Sequence, residues 1–132
     1  MKIIECAFVA YTVTDLARAR AFYEGVLGLT PSHAQIDEDP FWIEYEVGGT
    51  TLGIGNEPFL RPCGDGPQLV VEVAEFDEAI AHLKSHRVPF ALEPFDMPRC
   101  RAAMVYDPDG NKLGVHWRRS PDQAAAVPLQ SG

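Results

Sequence analysis

FVAYTVTDLARARAFY, residues 8–23, and QLVVEVAEFDEAIAHL, residues 68–83, align with each other without a gap, and this alignment decides the fold. Each stretch begins with the apolar alternation of a strand and continues with apolar residues at helical spacing. An acidic residue stands in both where a helix N-cap is expected. One residue further out of register, GTTLGIG from Gly49 matches GNKLGVH from Gly110. Because the matches keep the same order in both halves, the sequence predicts a duplicated module.

The duplication predicts an α+β fold of two tandem β-α-β-β-β modules, with eight strands and two main helices. Module 1 covers about residues 3–57 and module 2 about residues 66–119, within a single domain of residues 1–119. The first strand is predicted over residues 3–13, and Asp15 is the predicted N-cap of the helix that follows it. The remaining predicted elements are strands at 41–47, 50–55, 68–73, 90–94, 100–106 and 111–117, and a helix at 76–87. Residues 120–132 are rich in Ala, Pro and Ser and are predicted to be a disordered tail.

Composition excludes several classes of partner. A net charge of −8 and a pI near 4.8 argue against nucleic acid and against an anionic membrane surface. No apolar run approaches the roughly 18 residues of a membrane span. The cysteines, Cys6, Cys63 and Cys100, include no C-x-x-C pair, so a disulfide framework is not expected and a reduced, cytoplasmic setting is predicted.

Two motifs carry a resemblance to a known family. DLARARAFYEGVLGL, residues 15–29, and DPDGN, residues 107–111, resemble the two ends of the glyoxalase, bleomycin-resistance and extradiol-dioxygenase superfamily (vicinal oxygen chelate proteins). The resemblance covers about residues 4–119 and is specific for the fold rather than for one activity. It implies two β-α-β-β-β modules whose sheets curl into open cups, assembled as a homodimer.

The resemblance also implies where a metal would bind. Metal-dependent members use one residue from each of four strands, and those positions are here Phe8, Gly53, Gln68 and Gly114. The internal repeat independently pairs Phe8 with Gln68 and Gly53 with Gly114. Only Gln68 has a donor atom, and one neutral amide is too few ligands for nickel, zinc or manganese. We therefore expect no metal cofactor, and the missing carboxylates also remove the general base of a glyoxalase-type reaction.

Two other arrangements would restore a metal. His116 shares a strand face with Gly114 and, with Gln68 and Glu72, would form a displaced site for nickel, zinc or manganese. The other candidate is a set of side chains on one face of the second helix: Glu78, His82 and His86. A solvated polar face is the simpler interpretation of that helix.

Catalysis without a metal is the other alternative. Cys100 lies on the strand next to the one that carries His116, so a thiol–imidazole pair is conceivable, with Arg99 and Arg101 flanking the thiol. The simpler interpretation is a small buried cysteine on an inner strand. Cys100 and His116 are therefore the candidate catalytic residues.

The preferred prediction is a metal-free member that binds a small apolar or aromatic molecule in a cup with few polar groups. The alternatives are a glyoxalase-type lyase or isomerase with a displaced metal site, and a non-catalytic structural dimer. The predicted ligand-binding residues are Phe8, Ala10, Trp42, Gly53, Gln68, Val70, Gly114 and His116.

Overall fold

The computed structural model of the chain describes residues 1–125 and divides it into two compact units. The first unit contains Met1–Gly66 together with Asp107–Asn111. The second contains Pro67–Tyr106 and the chain from Lys112 onward. Within the described residues each unit has one four-stranded sheet, so the predicted α+β fold with eight strands is confirmed.

The sheet of the first unit has the strand order β1-β4-β3-β2, in which β1 and β4 are parallel and the other pairs are antiparallel. A helix connects β1 to β2, and its N-cap is the predicted one, because the Asp15 carboxylate accepts the N–H of Arg18 at 2.8 Å. The elements are β1 (Val9–Thr12), α1 (Leu16–Arg20) continuing as a π-helical segment (Ala21–Val26), β2 (Pro31–Gln35), β3 (Trp42–Val47) and β4 (Thr50–Gly55).

One face of this sheet is packed on the helix. Tyr23 of the π-helical segment stacks on Tyr45 of β3 with 6.2 Å between ring centroids, and both side chains are fully buried. The strand residues that share this face are also buried: Tyr11, Val13, Ile43, Leu52 and Ile54. Side chains alternate along a strand, so the intervening residues form the opposite face. This open face of the first sheet comprises Ala10, Thr12, Trp42, Glu44, Gly53 and Gly55.

The second unit repeats the arrangement with the strand order β5-β8-β7-β6. Its elements are β5 (Leu69–Glu72), α2 (Phe76–Ser85), β6 (Phe90–Met97), β7 (Cys100–Tyr106) and β8 (Lys112–Arg118). The buried residues come from α2 and from one face of the strands: Phe76, Ile80, Leu83, Ala103, Val105, Leu113 and Val115. The open face of the second sheet comprises Val70, Glu72, Cys100, Ala102, Met104, Gly114, His116 and Arg118.

The register of the two sheets confirms the sequence duplication. In the first sheet Ala10 lies opposite Gly53, and in the second sheet Val70 lies opposite Gly114. These are the pairs that the internal alignment equates, since the shift is 60 residues on the first strand of each module and 61 on the last. The four positions that carry metal ligands in the family therefore occupy equivalent places in both units.

The structure differs from the sequence pattern at three elements. The strand predicted over residues 3–13 is confined to Val9–Thr12. The pattern assigns no residues to a second strand of module 1, because β2 is mostly polar and exposed and lacks apolar alternation. Part of the predicted tail, Pro121–Ala125, forms a short helix, α3, which begins with reciprocal hydrogen bonds between Ser120 and Gln123.

The rest of that predicted tail, residues 126–132, lies outside the described residues. Within residues 1–125, no helix is long and apolar enough to cross a membrane.

A buried carboxylate anchors the D-P-D-G-N turn within the first unit. The Asp107 side chain, in a residue only 3% exposed, accepts hydrogen bonds from the Tyr23 hydroxyl and the Asn111 side-chain amide, both at 2.8 Å. It also accepts the backbone N–H groups of Asp109 and Asn111. Burial next to Asp107 raises the pKa of the Tyr23 hydroxyl far above its ordinary value, so this hydroxyl remains a donor. Asn111 in turn donates to the carbonyl of Thr12, which fixes the turn against the end of β1.

Glycines on the open face of β4 make room for an indole ring. A Cβ at Gly53 would overlap Cζ2 and Cη2 of Trp42, and one at Gly55 would lie 2.7 Å from its Cε3. Trp42 is thereby held flat on β4, and its Nε1–H donates to Glu44 at 2.8 Å. No larger residue fits at Gly53 while the indole stays in place.

Replacing the Tyr23 hydroxyl tests the buried carboxylate. Tyr23→Phe removes one donor from an inaccessible charged group, so we expect a loss of about 1.5–3 kcal/mol in the free energy of unfolding. Tyr45→Phe is the matched control, since its hydroxyl donates to the partly exposed Glu24, and it should cost about 1 kcal/mol or less. Urea unfolding measures both, and an equal or smaller loss for Tyr23→Phe would contradict the assignment.

A methyl group at Gly53 tests the packing of Trp42. Gly53→Ala should lower the free energy of unfolding by about 1–3 kcal/mol, because the indole must leave its position. Gly25→Ala is the control: it lies in the π-helical segment with nothing within 4 Å of the added Cβ, and it should be neutral or stabilising by up to about 1 kcal/mol. Urea unfolding gives the stability and tryptophan fluorescence the indole environment. A Gly53→Ala protein as stable as the wild type would disprove the packing argument.

Candidate functional site

The open face of the first sheet presents an aromatic pair where the family places metal ligands. Phe8 lies just before β1, and its ring meets Trp42 edge to face with 5.4 Å between centroids. The Phe8 side chain is half exposed, and Ala10, opposite Gly53, is also exposed. Neither Phe8 nor Gly53 supplies a donor atom, so this face offers stacking and apolar contact.

The equivalent positions in the second sheet are filled by a valine. Val70 lies opposite Gly114, and a Cβ at Gly114 would be 2.9 Å from its Cγ2 atom. A glutamate at position 114 would therefore have to displace Val70, whose residue is 53% exposed on the open face. Gln68 lies immediately before β5 and is exposed. The four family positions consequently carry one amide and no carboxylate.

A hydrogen-bonded acid–imidazole pair is the main polar feature of the second open face. Nδ1 of His116 lies 2.6 Å from one oxygen of Glu72, and the backbone N–H of Arg118 donates to the other oxygen at 2.6 Å. Partial burial raises the pKa of the Glu72 carboxyl, but these hydrogen bonds outweigh it, so the pKa lies below its ordinary value. A carboxylate at Nδ1 orients the ring and leaves Nε2 as the imidazole atom available to a ligand.

An open pocket of about 570 Å³ lies at the end of the β7–β8 ladder, within the second unit. Its lining residues are Arg99, Cys100, His116, Arg118, Arg119 and Pro121. Arg118 and Arg119 are absent from the predicted site. Strand alternation from His116 was the available signal, because it places Arg118 on the same face.

The structure brings the two candidate catalytic residues to one pocket but does not pair them. Cys100 lies opposite Arg118 in the ladder, whereas His116 lies opposite Ala102. Both residues are described, and no hydrogen bond joins them, since the imidazole is bonded to Glu72. A nucleophilic thiol needs a base within hydrogen-bond reach, so this geometry does not form the proposed thiol–imidazole pair.

The donor sets proposed for a metal do not fit one. Both oxygens of Glu72 are used by His116 and the Arg118 amide, and the rings of His82 and His86 contact each other with 4.6 Å between centroids. Across residues 1–125, no group of three or more His, Cys, Asp or Glu side chains is arranged to hold a metal ion. We therefore derive no chemical step through a metal at this site.

Comparison with solved structures supports the fold. TnmS3, described as an antibiotic binding protein from Streptomyces sp. CB03234, is 24% identical with a TM-score of 0.72, over 90% of this chain and 99% of its own. A glyoxalase/dioxygenase from Nostoc punctiforme is 23% identical with a TM-score of 0.68, over 88% and 92%. A glyoxalase/bleomycin resistance protein/dioxygenase from Alicyclobacillus acidocaldarius is 18% identical with a TM-score of 0.67, over 90% and 95%.

The family assignment comes from the sequence itself. No curated protein matches the chain significantly. The sequence profile of one family, however, matches residues 6–115. This range contains both motifs that carry the resemblance and all four positions of the family's metal ligands. The chain belongs to the Glyoxalase/Bleomycin resistance protein/Dioxygenase superfamily.

Proposed function

We propose that the protein binds a small apolar or aromatic molecule on the open faces of its sheets, without a metal. The observation that carries this proposal is the replacement of the family's ligand positions by apolar surface. Trp42 covers Gly53, and Val70 occupies the space beside Gly114. The predicted set of ligand-binding residues stays our proposal, extended by the pocket beside His116.

Exposure of large apolar side chains supports the proposal. Val70 is 53% exposed, Met97 49% and Leu92 48%, and register places all three on the open face of the second sheet. Contiguous apolar surface of this kind marks an interaction site in a soluble protein. The acid–imidazole pair of Glu72 and His116 lies among them, and a few polar groups within apolar surface are typical of small-molecule sites.

The likeness to TnmS3 agrees with this function. That protein is described as antibiotic-binding, and it shares the fold with this chain over 90% of the length. Bound to this chain, a flat apolar compound would stack on Trp42 or cover Val70. Fold alone does not establish activity, so the proposal depends on the residues of the open faces.

The homodimer implied by the family resemblance also stays a proposal. Burial of the exposed apolar residues against a second copy would have the same driving force as ligand binding. The cytoplasmic setting and the boundaries of modules 1 and 2 likewise remain predictions.

Metal binding separates the proposal from its main rival. After the purified protein is soaked in nickel, zinc or manganese and desalted, elemental analysis should find well below one ion per chain, because the donor set is incomplete. Parallel samples of His116→Ala and His82→Ala identify which cluster holds any metal. About one ion per chain that is lost in His116→Ala would instead favour the lyase or isomerase with a displaced site.

A neutral aromatic probe tests ligand binding. We expect 2-naphthamide to bind with measurable heat and to shift the amide resonances of Val70, Gly114 and His116. Val70→Asp should weaken binding by at least about tenfold, since it places a charge in apolar contact surface. Ile36→Asp is the matched control, because it adds the same charge at an exposed apolar residue away from both open faces.

Isothermal titration calorimetry gives the affinity, and NMR gives the location. Equal weakening by Val70→Asp and Ile36→Asp would show that the probe does not use the open face of the second sheet.

A further inference from the structure

Positive charge is concentrated at one end of the second sheet, although the chain as a whole carries a net charge of −8. Four arginines lie where β7 begins and β8 ends: Arg99, Arg101, Arg118 and Arg119. The ladder brings them together, because Cys100 pairs with Arg118 and the N–H of Arg119 donates to the carbonyl of Arg99 at 2.9 Å. Three of the four, all except Arg101, line the pocket of about 570 Å³.

Two of these guanidinium groups are neutralised by nearby carboxylates. Arg101 forms ion pairs with Asp77 at 2.9 Å and Asp96 at 2.7 Å. Arg119 shares Asp96 at 3.1 Å. By contrast, the side chains of Arg99 and Arg118 form no ion pair with any carboxylate of residues 1–125.

The pocket therefore combines two uncompensated cations with an imidazole. His116 contributes Nε2, because Glu72 already binds Nδ1. Guanidinium groups recognise carboxylates through paired, charge-assisted hydrogen bonds. The Glu72 carboxylate is directed to His116 and to the backbone of Arg118, so it leaves the Arg118 side chain free of a short ion pair.

Apolar side chains adjoin this cationic end on the same face. Phe95 lies opposite Ala102 and Met97 opposite Cys100 in the β6–β7 ladder, and they are 38% and 49% exposed. A ligand that extends from the arginines across these residues would meet charge at one end and hydrocarbon at the other.

We infer that the ligand of this pocket is an apolar carboxylate, whose anionic group binds Arg99 and Arg118 and whose hydrocarbon part covers Phe95 and Met97. This inference rests on the proposed binding function and specifies the class of ligand. Nε2 of His116 is the third polar contact. The expected preference is for an anionic over a neutral ligand of the same shape.

The test compares two ligands that differ in charge. 2-Naphthoate should bind about tenfold more tightly than 2-naphthamide in calorimetry at pH 7, a ratio equivalent to about 1.4 kcal/mol. In the double variant Arg99→Gln/Arg118→Gln the advantage of 2-naphthoate should disappear. The double variant Arg61→Gln/Arg87→Gln removes the same charge from arginines that do not line the pocket, and it should retain the advantage.

The outcomes separate the two proposals. Equal affinities for 2-naphthoate and 2-naphthamide in the wild type would overturn the inference and leave the binding function in place. An advantage that survives Arg99→Gln/Arg118→Gln, or disappears equally in the control, would show that the arginines of the pocket do not hold the anion. Failure of both ligands to bind would refute the binding function and the inference with it.

Discussion

Alternation of side chains along the strands is the constraint on which both the core and the candidate site depend. One face of each sheet must pack on a helix, as Tyr23 packs on Tyr45 in the first unit. The same backbone then directs the intervening residues to the open face. A shift of one residue in register would exchange Val70 and Gly114 for core residues such as Val71 and Val115. The site is thus specified by the same pattern that specifies the fold.

The glycines of the open faces show how a metal site is incompatible with the packing around it. A carboxylate at position 53 would need the space of the Trp42 indole, and one at position 114 would need the space of Val70. Restoring a ligand therefore requires a change at the neighbouring residue as well. The absence of these carboxylates is a packing arrangement that involves β3 and β5, rather than two isolated substitutions.

Most of the fold could be predicted from the sequence because apolar periodicity and the internal repeat identify elements that bury a face. The second strand, β2, could not, since its PSHAQ sequence is polar and exposed and forms a strand only by pairing with β3. In the candidate site, the open-face positions of Val70 and His116 followed from alternation. The hydrogen bond between His116 and Glu72, and the unpaired state of Arg118, depend on side-chain geometry that no local pattern contains.

The two repeats have exchanged the positions of large and small side chains. In the first sheet Trp42 lies opposite Gly55, and in the second sheet the equivalent pair is Ala102 opposite His116. In the first unit the large side chain comes from the middle strand and covers its neighbour. In the second unit alanine occupies that position, so the imidazole on β8 is left accessible beside the pocket. The same backbone therefore gives an aromatic surface in one unit and a polar, cationic pocket in the other, and the chemistry that selects a ligand lies in the second.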